Sequence, residues 1–247
     1  MIEISGLKKN YGTHPALRGY DLVVPDGQLF AFLGPNGAGK TTTIKILVGL
    51  IQPTEGSAKI DGLDVVADSV EVKRRIGYVP DTPALYDKLS AWEYLRLLAG
   101  LHGLSREKFE TQAERLLKAF SLAHRADGII EDFSHGMRQK LSFCGAFLHE
   151  PSTVIIDEPW VGLDPRSVRD VVDFLKERNR EGVTILMSTH SLPIAERIAD
   201  RVGIIHSGRI VSEGTVEEVL SHSEDAALEE VFLALTEDEQ ADAEAGA

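Results

Sequence analysis

The nine residues "GPNGAGKTT" (34–42) constrain this chain more than any other stretch in it. The apolar run "QLFAFL" precedes them. A helical pattern follows, with Ile44, Leu47 and Val48 on one face. A glycine-rich turn between a strand and a helix lets backbone N–H groups converge on phosphate oxygens. Gly34, Pro35, Asn36, Gly37, Ala38, Gly39, Lys40, Thr41 and Thr42 are therefore the candidate cofactor-binding loop. Lys40 is placed to reach β- and γ-phosphates, and the Thr41 hydroxyl to ligate Mg²⁺.

A strand–turn–helix of this kind needs a sheet around it. "MIEIS", "YDLVV" and "QLFAFL" read as short strands bounded by Gly, Pro and Asp, and "GSAKIDGLDV" as a further strand and turn. Residues 88–150 change character: "SAWEYLRLLAGLHGL" and "KFETQAERLLKAFSL" have helical spacing and predict a helical subdomain. The pattern then alternates. "TVIID" and "VTILMS" are strands. "DPRSVRDVVDFLKERNREG" is a helix capped by Asp164, with Pro165 in its first turn and Gly182 at its end. "SLPIAERIADR" is another helix, and "VGIIHSGRIVSEG" a hairpin turning at Ser207 and Gly208. Strand–helix alternation implies a parallel sheet with helices on its faces. "EDAALEEVFLAL" has the stripe Leu228, Val231, Phe232 and Leu235 of an amphipathic helix, and the acidic tail after Thr236 is expected to be disordered.

"VIIDEP" (154–159) is an apolar strand ending in two carboxylates. Downstream of a phosphate loop, Asp157 is expected to hold Mg²⁺ through its water shell, and Glu158 to face the γ-phosphate and polarise a water. His190 follows the strand "TILMS". Ligands of α/β sheets bind at the carboxyl ends of the strands, so His190 lies on the right edge to steady the attacking water.

Charge bounds the partners. The net charge is −13 and no Lys/Arg cluster stands out, which argues against a broad nucleic-acid footprint. The single cysteine, Cys144, excludes an intramolecular disulfide and suits a reducing compartment, and its flanks "LSFCGAFL" read as a buried helix. No segment has the apolar length to cross a bilayer, and "MIEISGLKKNYG" is not a signal peptide. A cytosolic chain is expected, with any membrane role exercised through a partner.

Taken together, these motifs resemble the nucleotide-binding subunit of an ABC transporter, from Tyr11 to about Leu220. "GPNGAGKTT" resembles Walker A, "VIIDEP" Walker B, "VGLDP" with Asp164 the D-loop, and "STH" the switch-histidine loop. The resemblance implies a P-loop NTPase core with an N-terminal antiparallel β subdomain and an inserted helical subdomain. One ABC ATPase domain then covers 1–236, with its helical part at about 88–150. Tyr11 takes the place of the aromatic that stacks on adenine. Glu158, His190 and Lys40 become the catalytic set, with ATP and Mg²⁺ bound.

"FSHGMRQKL" (133–141) resembles the ABC signature, with Phe133, His135 and Met137 in place of the usual Leu, Gly and Gln. In that family the signature of one subunit caps the γ-phosphate held by another. Ser134 and the Gly136 N–H would be the donors. "GYVPDTPALYD" carries Asp81 where the family has Gln. Asp81 is expected to touch the metal, directly or through water, or to couple the ATP site to the membrane partner, the alternative being that it only shapes its loop. Crowding near Asp157 and Glu158 would raise a carboxyl pKa. The implied assembly is two ATPase subunits, identical or paralogous, around two MgATP. They would sit on the cytoplasmic face of the membrane and drive a separate permease. "GMRQKL" and "GLDP" resemble the ATPases of ABC-2-type bacterial exporters. The rival reading is a soluble ABC-type ATPase in nucleic-acid or ribosome-linked work. It is disfavoured by the single P-loop and the absence of a long heptad stretch or basic patch. A kinase or GTPase would leave the signature, D-loop and histidine unexplained.

Overall fold

The computed structural model describes residues 1–160 and 162–220. Its first layer is an antiparallel sheet built within the first 64 residues. β1 (Ile2–Tyr11) pairs with β2 (His14–Arg18), β3 (Leu22–Val24) and, along its other edge, β5 (Glu55–Ile60), which continues to β6 (Leu63–Asp64). Between them lie β4 (Leu29–Leu33) and α1 (Lys40–Leu47), which belong to the second layer. α2 (Ser69–Arg75) leads into β7 (Ile76–Val79).

The helical part follows as α3 (Ala91–Leu101), α4 (Arg106–Ala119), two short 3₁₀ turns and α5 (His135–Phe147). α3 starts where it does because Ser90 and Glu93 form a reciprocal capping box. The remaining elements are β8 (Thr153–Asp157), α6 (Pro165–Arg180), β9 (Thr184–Thr189), α7 (Leu192–Ile198), β10 (Arg201–His206), β11 (Arg209–Thr215) and α8 (Val216–Leu220). As expected, Asp164 caps α6, and the β10–β11 hairpin turns at Ser207 and Gly208, both at positive φ.

The second sheet has the order β11-β10-β4-β9-β8-β7, parallel throughout except for the antiparallel edge strand β11. β4 sits in the middle and is buried on both faces, as its unbroken apolar run requires. Leu29, Ala31 and Leu33 enter the core shared with the helical part. Phe30 and Phe32 enter the core under the antiparallel sheet and α1. Each fully buried phenylalanine contributes about 2 kcal/mol. Phe120, Phe143, Phe147 and Phe174 stack and tilt against one another, so α4, α5 and α6 share one aromatic cluster.

Four elements were not foreseen. β2, α2 and β7 are short, and α8 is a five-residue helix closing the described chain. α7 is also shorter than its pattern suggested, ending at Ile198. The helix expected over 224–235 and the acidic tail lie outside the described residues. Cys144 is fully buried, and burial pushes its thiol pKa well up, as befits an inert core side chain.

Candidate active site

The loop from β4 to α1 is clasped from outside. Gly37 and Gly39 have φ of +84° and +116°. A Cβ on Gly39 would lie 2.7 Å from the Leu17 side chain, and one on Gly34 would lie 2.4 Å from the Ile205 carbonyl. Gly37 is therefore required by conformation, Gly34 by the closeness of β10, and Gly39 by both its conformation and the closeness of β2. The Gly208 N–H donates to the Ala38 carbonyl at 2.9 Å. Lys40 is buried, and its ammonium donates to the Gly34 and Pro35 carbonyls at 2.6 and 3.2 Å.

β8 delivers two carboxylates to the same place. Asp157 Oδ1 accepts from the Ser188 hydroxyl at 2.6 Å and from the Thr41 hydroxyl at 3.3 Å. Burial pushes the Asp157 pKa up, with help from the charges of Asp81 and Glu158, and the two hydroxyl bonds only partly oppose it. Glu158 turns out of the strand in the left-handed region, at φ 43°. Such a conformation costs a non-glycine residue about 1–3 kcal/mol and is characteristic of functional positions. The Glu158 N–H donates to the Ser188 hydroxyl at 3.1 Å. One carboxylate oxygen, Oε2, accepts from the His190 backbone N–H at 3.3 Å and lies 2.8 Å from His190 Nδ1. The other, Oε1, is buried without a hydrogen bond, 3.5 Å from the Lys40 ammonium. Lys40, Thr41, Asp157, Glu158 and His190 are thus brought together at the carboxyl edge of β4, β8 and β9.

Asp81 lies just beyond β7. It accepts the Thr82 hydroxyl at 2.6 Å and is exposed. Its charge is felt by Asp157, and also by Tyr78, whose pKa is pushed up to about 12 by burial first and then by Asp157 and Asp81. The expected crowding of carboxylates is therefore present, and Asp157 is the group that responds.

The remaining candidates occupy other places. Tyr11 ends β1 half-exposed, with the Lys9 ammonium 5.3 Å above its ring. Ser134 caps α5 and accepts the Met137 N–H at 3.3 Å, and Gly136 lies in the first turn. Among the described residues, no hydrogen bond joins either to the P-loop. They line a cavity of about 190 Å³ with Lys140, Asp164 and Ser167. Asp164 accepts the Ser167 hydroxyl at 2.5 Å and two N–H groups of α6, and these bonds hold its pKa low. The basic residues of "FSHGMRQKL" are committed elsewhere: Arg138 to Asp87 at 2.6 Å and Lys140 to Asp170 at 3.6 Å. They fasten α5 to its neighbours. His135 packs directly against Gly162, where any Cβ would meet its ring at 2.3 Å.

Sequence reasoning passed over Ser188. Its signal was a hydroxyl at the end of the otherwise apolar run "TILM", in register with Asp157 of the neighbouring parallel strand.

Comparison with known proteins agrees with this geometry. The ABC transporter family profile matches residues 17–161. The ABC-type transporter ATP-binding protein EcsA of Bacillus subtilis (strain 168) is 36% identical over 241 residues, 97% of this chain and 98% of its own. The daunorubicin/doxorubicin resistance ATP-binding protein DrrA of Streptomyces peucetius is 37% identical, covering 89% of this chain and 67% of its own. Among solved structures, an ATP-binding subunit of an ABC transporter superposes with a TM-score of 0.90 at 37% identity, covering 95% and 99% of the two chains. A dimeric cassette in a post-hydrolysis state with ADP and Pi superposes at 0.81 and 26% identity, covering 87% and 98%. A glycine-clasped phosphate loop facing Asp157, Glu158 and His190, in a chain with these relatives, makes this protein a member of the ABC transporter family, an ATP-binding subunit that hydrolyses ATP for transport.

Proposed function

We propose that two ATPase subunits, each this chain or a paralogue, close around two MgATP and drive a separate membrane permease in the direction of export. The observation that carries the chemistry is the buried, uncommitted Oε1 of Glu158, facing the Lys40 ammonium at the mouth of the P-loop. Magnesium, when bound, neutralises charge on the β- and γ-phosphate oxygens. The donor set fits it: a threonine hydroxyl and a buried carboxylate whose charge a cation would compensate. Thr41 and Asp157 would hold it, and Asp81 would add a second carboxylate.

Lys40 binds the terminal phosphates once its bonds to Gly34 and Pro35 are released. Glu158 Oε1 orients a water and takes its proton, while His190 fixes Oε2. Ser134 and the Gly136 N–H lie apart from the chain's own loop, which supports a role on the nucleotide of a second subunit. Tyr11 would stack on adenine, and Asp164 would face the shared interface.

Among the described residues no helix is long and apolar enough to cross a membrane. A groove of about 480 Å³ beside the Asp81 loop, lined by Val48, Leu50, Tyr78, Pro80, Ala84 and Leu98, offers an apolar seat for a permease helix at the cytoplasmic face. Export is supported by relatives named for daunorubicin/doxorubicin resistance and for Nod factor export.

The test is Glu158→Gln with MgATP. Hydrolysis should fall at least a hundredfold, and light scattering should show a dimer. Wild-type turnover in the variant would overturn the assignment. A pull-down from gently solubilised membranes should recover a multi-span protein in stoichiometric amount. Ribosomes or nucleic acid in its place would support the soluble alternative. Asp81→Ala should reduce permease-stimulated hydrolysis more than MgATP binding, and equal stimulation would remove Asp81 from the coupling role.

A further inference from the structure

β9 is apolar through Ile185, Leu186 and Met187, and all three are fully buried. Ser188 follows, also with no exposed surface. A buried hydroxyl is stable only when its bonds are made. Here both are made to the acidic pair. The register sets Ser188 opposite Asp157 on the parallel neighbour β8. The single hydroxyl proton goes to Asp157 Oδ1 at 2.6 Å. Its lone pairs then face the Glu158 N–H, which they receive at 3.1 Å, and the Ser188 carbonyl accepts the same N–H at 3.3 Å.

The consequences differ for the two acids. Asp157 is buried with neighbouring negative charge, and its carboxylate could rotate about its side-chain bonds. The Ser188 bond selects one orientation, in which Oδ1 also meets the Thr41 hydroxyl. Glu158 sits in a strained left-handed conformation that persists only if its surroundings hold it. The Ser188 hydroxyl and carbonyl are the groups that receive its N–H.

We propose that Ser188 is a positioning residue of the ATPase site: its hydroxyl directs the Asp157 carboxylate toward magnesium and clamps the peptide that presents Glu158. This rests on the reading of Asp157 as a magnesium-binding residue, so the test treats the two separately. Binding of a fluorescent ADP analogue to the full chain is measured with and without Mg²⁺, beside kcat and KM for ATP.

In Ser188→Ala the tightening caused by Mg²⁺ should shrink about tenfold while the Mg²⁺-free affinity stays at the wild-type value. Turnover should fall about tenfold with a smaller change in KM. Ser188→Cys keeps a packed side chain with only a weak donor and should fall between. A purely structural role would weaken Mg²⁺-free binding in parallel. Affinities that fall together, or a wild-type Mg²⁺ effect in Ser188→Ala, overturn the proposal. If Asp157→Asn loses the Mg²⁺ effect and Ser188→Ala keeps it, only the positioning role fails. If both keep it, the metal reading fails too.

Discussion

Glu158→Gln is expected to tighten the binding of ADP, apart from any effect on hydrolysis. ADP has no γ-phosphate, so this experiment reads the loop of a single chain. The Lys40 ammonium lies 3.5 Å from Glu158 Oε1, and both side chains are largely buried. At an effective dielectric of about 20, Coulomb's law puts the gross attraction at about 5 kcal/mol. Most of this is recovered when Lys40 pairs with the β-phosphate instead. The residue of the competition is of the size of an ordinary net hydrogen bond, about 1–1.5 kcal/mol after solvation is counted. Glutamine has the same shape and no charge, so it removes the competitor and also the repulsion between Glu158 and the diphosphate. Both effects have the same sign. Titration calorimetry should show ADP bound about five- to tenfold more tightly by the variant. The gain should survive moderate salt, because a buried pair is weakly screened. In a Lys40→Ala background the difference between Glu and Gln at 158 should shrink to the part that comes from repulsion alone. Equal or weaker ADP binding by Glu158→Gln would refute the reasoning.

Three further outcomes follow from the packing and charge of the fold. Burial lifts the Asp157 pKa, so its ionised form costs stability that is present below the ordinary carboxylate range and lost as pH rises through the folded pKa. Asp157→Asn should therefore raise the melting temperature without nucleotide at neutral pH. An unchanged or lower value would refute it. His149 stacks on His102 with ring centroids 3.7 Å apart. Burial, then the His102 charge, pushes its pKa down to about 4. Stability is then full above pH 6.5 and falls as pH drops toward 4, by up to about 2 kcal/mol at pH 5. His149→Phe should flatten that part of the pH–melting curve, and parallel curves would exclude the histidine. Finally, a Cβ on Gly77 of β7 would lie 2.3 Å from the Ala146 carbonyl near the end of α5. Gly77→Ala should cost about 1–3 kcal/mol by forcing strand and helix apart, read as a fall of several degrees by calorimetry.

The parts of this fold that were legible in the sequence are those with strong local codes. Pro165 and Asp164 announce the start of α6, Ser207-Gly208 the turn of a hairpin, and "QLFAFL" a strand. The P-loop and the Asp157–Glu158 pair were readable because a strand end and a helix start flank them. β2 and β7 were missed for the opposite reason. Each has little pattern of its own and is a strand because a neighbour supplies the hydrogen bonds, β1 in one case and β8 in the other. Ser188 was hidden in the same way. A serine after three apolar residues carries no meaning until the parallel register sets it against Asp157. The two basic residues of the signature region, Arg138 and Lys140, carry no local code for their task, and only the three-dimensional positions of Asp87 and Asp170 reveal it.

The position of β4 has a consequence for how the protein is made. Its hydrogen-bonded neighbours are β9 and β10, and the Gly208 N–H completes the clasp on the phosphate loop. The antiparallel sheet lies within residues 1–64 and can assemble before the rest of the fold has emerged. β4 ends at Leu33, yet the first of its partners begins at Thr184. At translation rates of about 5–20 residues per second, an apolar strand and an unshaped loop wait roughly ten to thirty seconds for their neighbours to emerge. On the ribosome, the loop that will hold ATP is made well before the strands that shape it, so a nascent chain truncated before the β10–β11 hairpin would be a client for chaperones rather than a nucleotide-binding protein.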